Sequence, residues 1–163
     1  MLLDHKHLLE WLHYDPETGI WTWLKSRPYV KAGQRADVPK DKKYRRIWIR
    51  GKLYYTHRLA WFYMHGEWPA CPIDHKNLNG WDNSWNNLRL ATYKQNGANR
   101  SLNKNNTTGV KGVYWNKTKK KWQAYICINY KSKYLGRFNT LRDAIKCRQK
   151  FAELFFGEFA RHA

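Results

Sequence analysis

Apolar positions in the first hundred residues recur in short, interrupted runs. Leu2, Leu8, Leu9 and Leu12 return at roughly helical spacing, which predicts a short helix over residues 2–14. Tyr14-Asp15-Pro16-Glu17-Thr18-Gly19 stops it in a turn, since proline and glycine punctuate the backbone. Residues 20–24 then read as a strand, and the polar, basic residues 25–43 as a surface loop. Residues 44–55 predict a hairpin turning at Arg50-Gly51. A compact apolar helix follows over 57–65, with Gly66 as its C-cap. Pro72 to His75 is extended and enters a long polar loop, from which residues 88–92 return as a strand. Thr92-Tyr93-Lys94-Gln95 is a capping box that opens a further helix.

Beyond Asn96 the pattern changes. Residues 101–108 are basic, rich in asparagine and nearly devoid of apolar positions, which predicts a linker between domains over 1–100 and 109–163. In the second domain, residues 110–115, 122–128 and 133–138 read as three short strands. On the middle one Trp122, Ala124, Ile126 and Ile128 share one face, and Gln123, Tyr125 and Cys127 the other. Thr140 caps a closing helix, with Asp143 three residues on. The expected fold is α+β, ending in a small three-stranded antiparallel sheet with one helix on one face. The other face is left exposed and carries Lys and Tyr side chains; Lys133 and Tyr134 are among the expected DNA contacts.

Charge changes what this architecture is for. Among 163 residues, 31 Lys and Arg stand against 12 Asp and Glu, a net +19. A polyanion neutralises such a bias, and double-stranded DNA is the expected partner. Lys42, Lys43, Arg45, Arg46, Arg50 and Lys52 line or flank the predicted hairpin. They suit phosphate contact, or a solvated edge that discourages strand pairing. Ten Trp and eleven Tyr can stack on bases as well as fill a core. Cys71, Cys127 and Cys147 form no C-x-x-C pair, which argues against a thiolate zinc site and for a reducing cytoplasm. Met1-Leu2-Leu3 runs straight into Asp4, His5 and Lys6, unlike a signal peptide, and no apolar stretch is long enough for a membrane span. Neither a membrane nor a small-molecule cofactor is expected, and the chain reads as a monomer with a dimer left open.

The chemistry concentrates between Pro72 and Asn96. Asp74 offers a hard oxygen to a divalent cation, and His75 a base with an ordinary pKa of roughly 6.5. With Asn87 and Asn96 they suit one metal ion and one general base acting on a phosphodiester. His57 is a rival base, although it equally suits capping or packing its helix, or contacting DNA. Neighbours on a regular strand point to opposite faces, so Asp74 and His75 share one phosphate only if the strand is irregular there.

This stretch resembles the HNH endonuclease motif, a strand–strand–helix metal site of the His-Me finger type. The resemblance extends upstream to Tyr14–Gly19, His57–Trp61 and Gly66–Pro69, which look like the lead-in of phage-type HNH homing endonucleases. It implies metal-assisted DNA cutting in which His75 activates water. By the same resemblance Asp74 and Asn96 hold one Mg²⁺ or Mn²⁺ per active site, and the Asn87 carbonyl orients the His75 ring. Arg58 or Arg89 would clamp the scissile phosphate. The C-terminal segments Gly109–Trp115, Lys121–Ile126 and Tyr134–Thr140 resemble the Apetala/ethylene-response-factor DNA-binding domain. The matched contact positions are Lys111, Tyr114, Asn116, Tyr125, Cys127 and Tyr134, where that family usually has arginine or tryptophan at several. The alternative is a DNA-binding regulator whose nuclease fold has lost activity.

Overall fold

The computed structural model describes residues 3–41 and 43–161; Leu2 and Lys42, named above, lie outside them. The chain forms two compact units, Met1–Ala91 and Thr92–Ala163. Helices and strands are mixed in both, as an α+β fold requires.

The first helix of the first unit, α1 (His5–Trp11), is shorter than its leucine spacing suggests. Asp4 caps it, accepting from the His7 N–H at 2.7 Å. It stops at Leu12 because a period of two takes over. Leu12 and Tyr14 are buried while His13 is exposed, and Leu12–Tyr14 forms β1, antiparallel to β2 (Trp21–Trp23). Strand pairing therefore claims the last residues of the expected helix. The expected loop 25–43 contains one brief strand, β3 (Val38–Pro39), on the edge of a sheet ordered β3-β4-β5. Strands β4 (Arg45–Ile49) and β5 (Lys52–Tyr55) are the anticipated hairpin. Arg50 and Gly51 both have positive φ, 47° and 74°, which matches the right-handed twist of the flanking strands. Helix α2 (Thr56–His65) buries Leu59, Ala60 and Phe62 and ends at Gly66. Strands β6 (Ile73–His75) and β7 (Leu88–Leu90) pair antiparallel, with Asp74 opposite Arg89 and His75 opposite Leu88. Leu8, Leu12, Tyr14, Trp21, Ile47 and Leu59 are fully buried at the centre of the core.

In the second unit α3 (Tyr93–Ala98) starts with the expected capping box: the Thr92 side chain accepts from the Gln95 N–H and the Gln95 side chain from the Thr92 N–H. This helix packs against a 3₁₀ turn at Gly157–Phe159 and therefore belongs with the C-terminal residues. Residues 101–108 carry no regular element. The Asn106 side chain organises their end, accepting from the Thr108 and Gly109 N–H groups and donating to the Val110 carbonyl. Strands β8 (Val113–Asn116), β9 (Lys121–Ile128) and β10 (Lys131–Phe138) form an antiparallel sheet ordered β10-β9-β8. Residues 110–112, expected in the first of these strands, instead turn into it. Helix α4 (Leu141–Phe156), capped by Thr140, covers one face through Ala144 and Ile145, which pack with Val113 and Ala124.

One anticipated DNA contact is part of this framework. Asp37 is 4 % exposed and takes two arginines: Arg35 at 2.9 Å, and Arg45, whose side chain is only 12 % exposed. Arg45 also donates to the Asp37 carbonyl at 2.9 Å. Removing one member of a buried pair strands the other charge. Asp37→Ala is expected to lower unfolding free energy by about 3 kcal/mol in urea denaturation; a loss below about 1 kcal/mol would contradict a structural role for Arg45.

Candidate active site

Strand β6 presents two buried polar residues in sequence, Asp74 at 3 % and His75 at 6 % exposure. Their partners differ. Directly opposed residues of an antiparallel pair lie on one face, and the Asp74 carboxylate meets Arg89 across the ladder: Nη2 at 2.9 Å and Nε at 3.0 Å, both to Oδ2. The His75 ring instead meets Asn83, with Nε2 to Oδ1 at 3.2 Å, and sits edge-on to His57 with centroids 5.2 Å apart. Tyr44 lies 6.1 Å from it, and Tyr44, Tyr55 and His57 are themselves in mutual contact.

Asn83 determines how the His75 ring can react. Its Nδ2 donates to the Trp81 carbonyl at 3.2 Å, which orients Oδ1 toward the ring. An amide oxygen only accepts, so the His75 nitrogen facing it is Nε2–H. In the neutral ring the basic lone pair is then on Nδ1. Burial pushes the His75 pKa down, while the Asn83 hydrogen bond and the charge of Asp74 oppose that shift.

Residues far away in sequence fix the position of Asn83. It is 1 % exposed, and its carbonyl accepts from the Tyr14 hydroxyl at 2.7 Å. The turn after Tyr14 packs on the same loop: the Trp85 N–H donates to the Pro16 carbonyl at 2.7 Å, and Gly19 lies against the Asn83 backbone. A Cβ at Gly19 would fall 2.3 Å from the Asn83 carbonyl carbon, at a φ of +72° that side chains rarely adopt.

Asn87 does something other than expected. Its side-chain oxygen accepts from the Asn77 N–H at 3.0 Å and its Nδ2 donates to the Asp82 carbonyl at 2.7 Å. It braces both arms of the loop between β6 and β7, and the amide oxygen that meets the His75 ring comes from Asn83. Asn96 is carried by α3, in the second unit, where its N–H donates to the Thr92 carbonyl at 2.9 Å. His57 is partly buried, and its Nδ1 has no hydrogen-bond partner among the described residues. Burial first, then the neighbouring His75 and Arg58, push its pKa down to about 3, so His57 is a far weaker base than an ordinary imidazole.

The basic candidates also separate. Arg89 is engaged by Asp74, and Arg58 donates to the Pro69 carbonyl at 3.5 Å. The Arg46 Nε has no hydrogen-bond partner among the described residues. In the second unit Tyr114, Tyr125 and Tyr134 form a ladder across three strands, centroids 5.1 Å apart at each step. Asn116 bonds to Gln123 and to the Lys119 N–H at the β8–β9 turn. The Lys133 Nζ lies over the Phe155 ring of α4 at 5.8 Å.

The donor set can be compared with a divalent ion. Among the described residues no three of His, Cys, Asp and Glu cluster as a metal cage. The Asp74 carboxylate is a hard oxygen donor, and Mg²⁺ commonly takes one or two carboxylates and leaves its other positions to water and phosphate. The carboxylate fits such an ion by donor chemistry, and the ion would have to displace Arg89 from Asp74.

A buried histidine presented by a two-stranded ribbon, with a braced loop between the strands, defines the class. Residues 54–98 match the HNH endonuclease family, a span that includes His57, Asp74, His75, Asn83, Asn87 and Asn96. Over 89 residues the chain is 32 % identical to "Protein 3.8" of Escherichia phage T7, an overlap covering 55 % of this chain and 73 % of that protein. The chain belongs to the family of that phage protein and carries an HNH endonuclease domain. No solved structure matches it. Among the described residues no helix is long and apolar enough to cross a membrane.

His57 is neutral in the fold down to about pH 3, whereas an unfolded histidine takes a proton near 6.5. Between those values the unfolded state binds the extra proton, so stability rises with pH and is lost on acidification below about 6.5. Through this residue alone the protein should lose about 1.4 kcal/mol per pH unit between roughly pH 6 and pH 4. Urea titrations of wild type and His57→Phe test this; identical pH slopes would contradict it.

Proposed function

We propose that the chain is a metal-dependent DNA endonuclease that hydrolyses phosphodiester bonds, with His75 as general base. The observation that carries this reading is the Asn83–His75 hydrogen bond inside the HNH-matched span, which leaves the basic lone pair of a buried imidazole on Nδ1. His75 takes a proton from the attacking water, and Asn83 holds the ring for that transfer. Asn87 acts on the loop rather than on the ring. Asp74 would supply the carboxylate for Mg²⁺ or Mn²⁺, which when bound stabilises charge on the phosphate and on the leaving oxygen. Arg46 and Arg58 are the better phosphate contacts of the first unit, because Arg45 and Arg89 already serve carboxylates. We assign the sheet of the second unit, with Tyr114, Tyr125 and Tyr134 on one face, to duplex binding in the manner of the Apetala-type domain it resembles. The homing type rests on the resemblance of Tyr14–Gly19, His57–Trp61 and Gly66–Pro69 to phage-type homing endonucleases, and the relation to a phage protein agrees with action in the host cytoplasm.

A second reading rests on the Asp74–Arg89 pair. An arginine occupying the metal-ligand position favours a catalytically weak, DNA-binding regulator. Incubation of the protein with supercoiled plasmid and Mg²⁺ or Mn²⁺ separates the two. Nicking is expected, falling 10²–10⁴-fold in His75→Ala and by a smaller factor in Asn83→Ala. Plasmid that stays supercoiled with every divalent ion, while still retarded in gels, would support the regulator; a His75→Ala variant as active as wild type would remove the general base from the scheme.

A further inference from the structure

The second unit contains a cavity of about 600 Å³ that the proposed hydrolysis does not use. Residues expected to be a linker form part of its wall, including Leu102 and Asn106, facing Lys111, Tyr114, Tyr125 and Arg148. Arg148 projects from α4, is 7 % exposed, and its Nε has no hydrogen-bond partner among the described residues. A buried guanidinium without a carboxylate is costly unless another anion meets it. The Lys111 Nζ reaches into the same region and donates to the Ala98 carbonyl at 2.8 Å. Burial, followed by the charges of Arg161, Arg148 and Arg100, pushes Lys111 down to about 8, which reflects cations gathered around one space. Tyr114 and Tyr125 stack on each other, 5.1 Å apart and 21° from parallel, and border the same cavity.

We infer that this cavity is a nucleotide pocket: the phosphate group meets Arg148 and Lys111, and the base lies against the Tyr114–Tyr125 pair. The volume suits one nucleotide, since ligand sites of roughly 300–1,000 Å³ enclose molecules of that size. A phosphate oxygen is the natural partner for an arginine fork, and an aromatic ring accepts any base by stacking. The inference does not rest on the nuclease reading, because a protein that never cuts would still fill the pocket. The nucleotide can come from solution or from an unpaired stretch or end of a DNA strand.

Calorimetric titration of the full chain at constant ionic strength tests this, using thymidine 5′-monophosphate, thymidine and inorganic phosphate. The monophosphate is expected to saturate one site, with thymidine and inorganic phosphate each at least tenfold weaker. Lys111→Gln should weaken the monophosphate about tenfold, and Arg148→Met should abolish its binding. Where Arg148→Met loses its native circular dichroism, Lys111→Gln and the ligand comparison decide. Because duplex DNA is assigned to the same tyrosines, competition by a 5′-phosphorylated single strand at least tenfold stronger than by a blunt duplex of equal length would assign the nucleotide to unpaired DNA. No competition by either assigns it to solution, and a duplex competing as well as the single strand would overturn the pocket and leave the tyrosines to duplex binding. Absence of saturation, thymidine or inorganic phosphate binding as tightly as the monophosphate, or a Lys111→Gln variant equal to wild type would each overturn the proposal.

Discussion

The candidate active site depends on one buried asparagine. Asn83 uses its amide oxygen on His75, its amide nitrogen on the Trp81 carbonyl and its own backbone carbonyl on the Tyr14 hydroxyl. An amide this deeply buried must satisfy its polar atoms, so each bond removes an alternative orientation. The loop that carries it cannot shift without uncovering Tyr14, whose ring packs on Trp21 and Tyr63 in the core. The orientation of the His75 ring is thereby tied to the packing of β1, β2 and α2.

That dependence explains which parts of the site can be read from the chain. Asp74 and His75 stand out because an acid and a histidine follow an extended segment and face a returning strand. Asn83 does not, because the loop from Asn77 to Asn87 also offers Asn79 and Asn86 with equal propensity. What distinguishes Asn83 is its burial against Tyr14 and Gly19, contacts separated by more than sixty residues, as its bond to Tyr14 shows. The Tyr14–Gly19 segment is readable as a turn and as part of a family resemblance, yet its purpose, to clamp the loop beneath the histidine, requires the fold. Asn87 illustrates the converse: its identity is legible, but a side-chain carbonyl can serve a ring or a loop N–H equally well, and only the fold engages it with Asn77.

The elements themselves were mostly legible where one pattern dominated. The capping boxes, the Arg50-Gly51 hairpin and the apolar helix before Gly66 have local causes, and local causes survive folding. Leu12 to Tyr14 could continue a helix or start a strand, and pairing with Trp21 to Trp23 decides for the strand. Residues 101–108 look like a linker because they lack apolar positions. Polar backbone can still be held by side chains, as Asn106 does, and can wall a cavity instead of spanning a gap.

Scarcity of acids then shapes what the positive charge can do. With 12 carboxylates against 31 Lys and Arg, a buried acid becomes an anchor that selects particular arginines. Asp37 takes Arg35 and Arg45, and Asp74 takes Arg89. Those arginines hold the frame of the first unit; Asp74 offsets Arg89 at short range, whereas Asp37 offsets only one of the two charges it gathers. Arg148 in the second unit is 7 % exposed, and its Nε has no hydrogen-bond partner among the described residues. The same residue type therefore serves two ends within one chain: arginine beside an acid stiffens the site, and arginine without one keeps its field for an anion from outside.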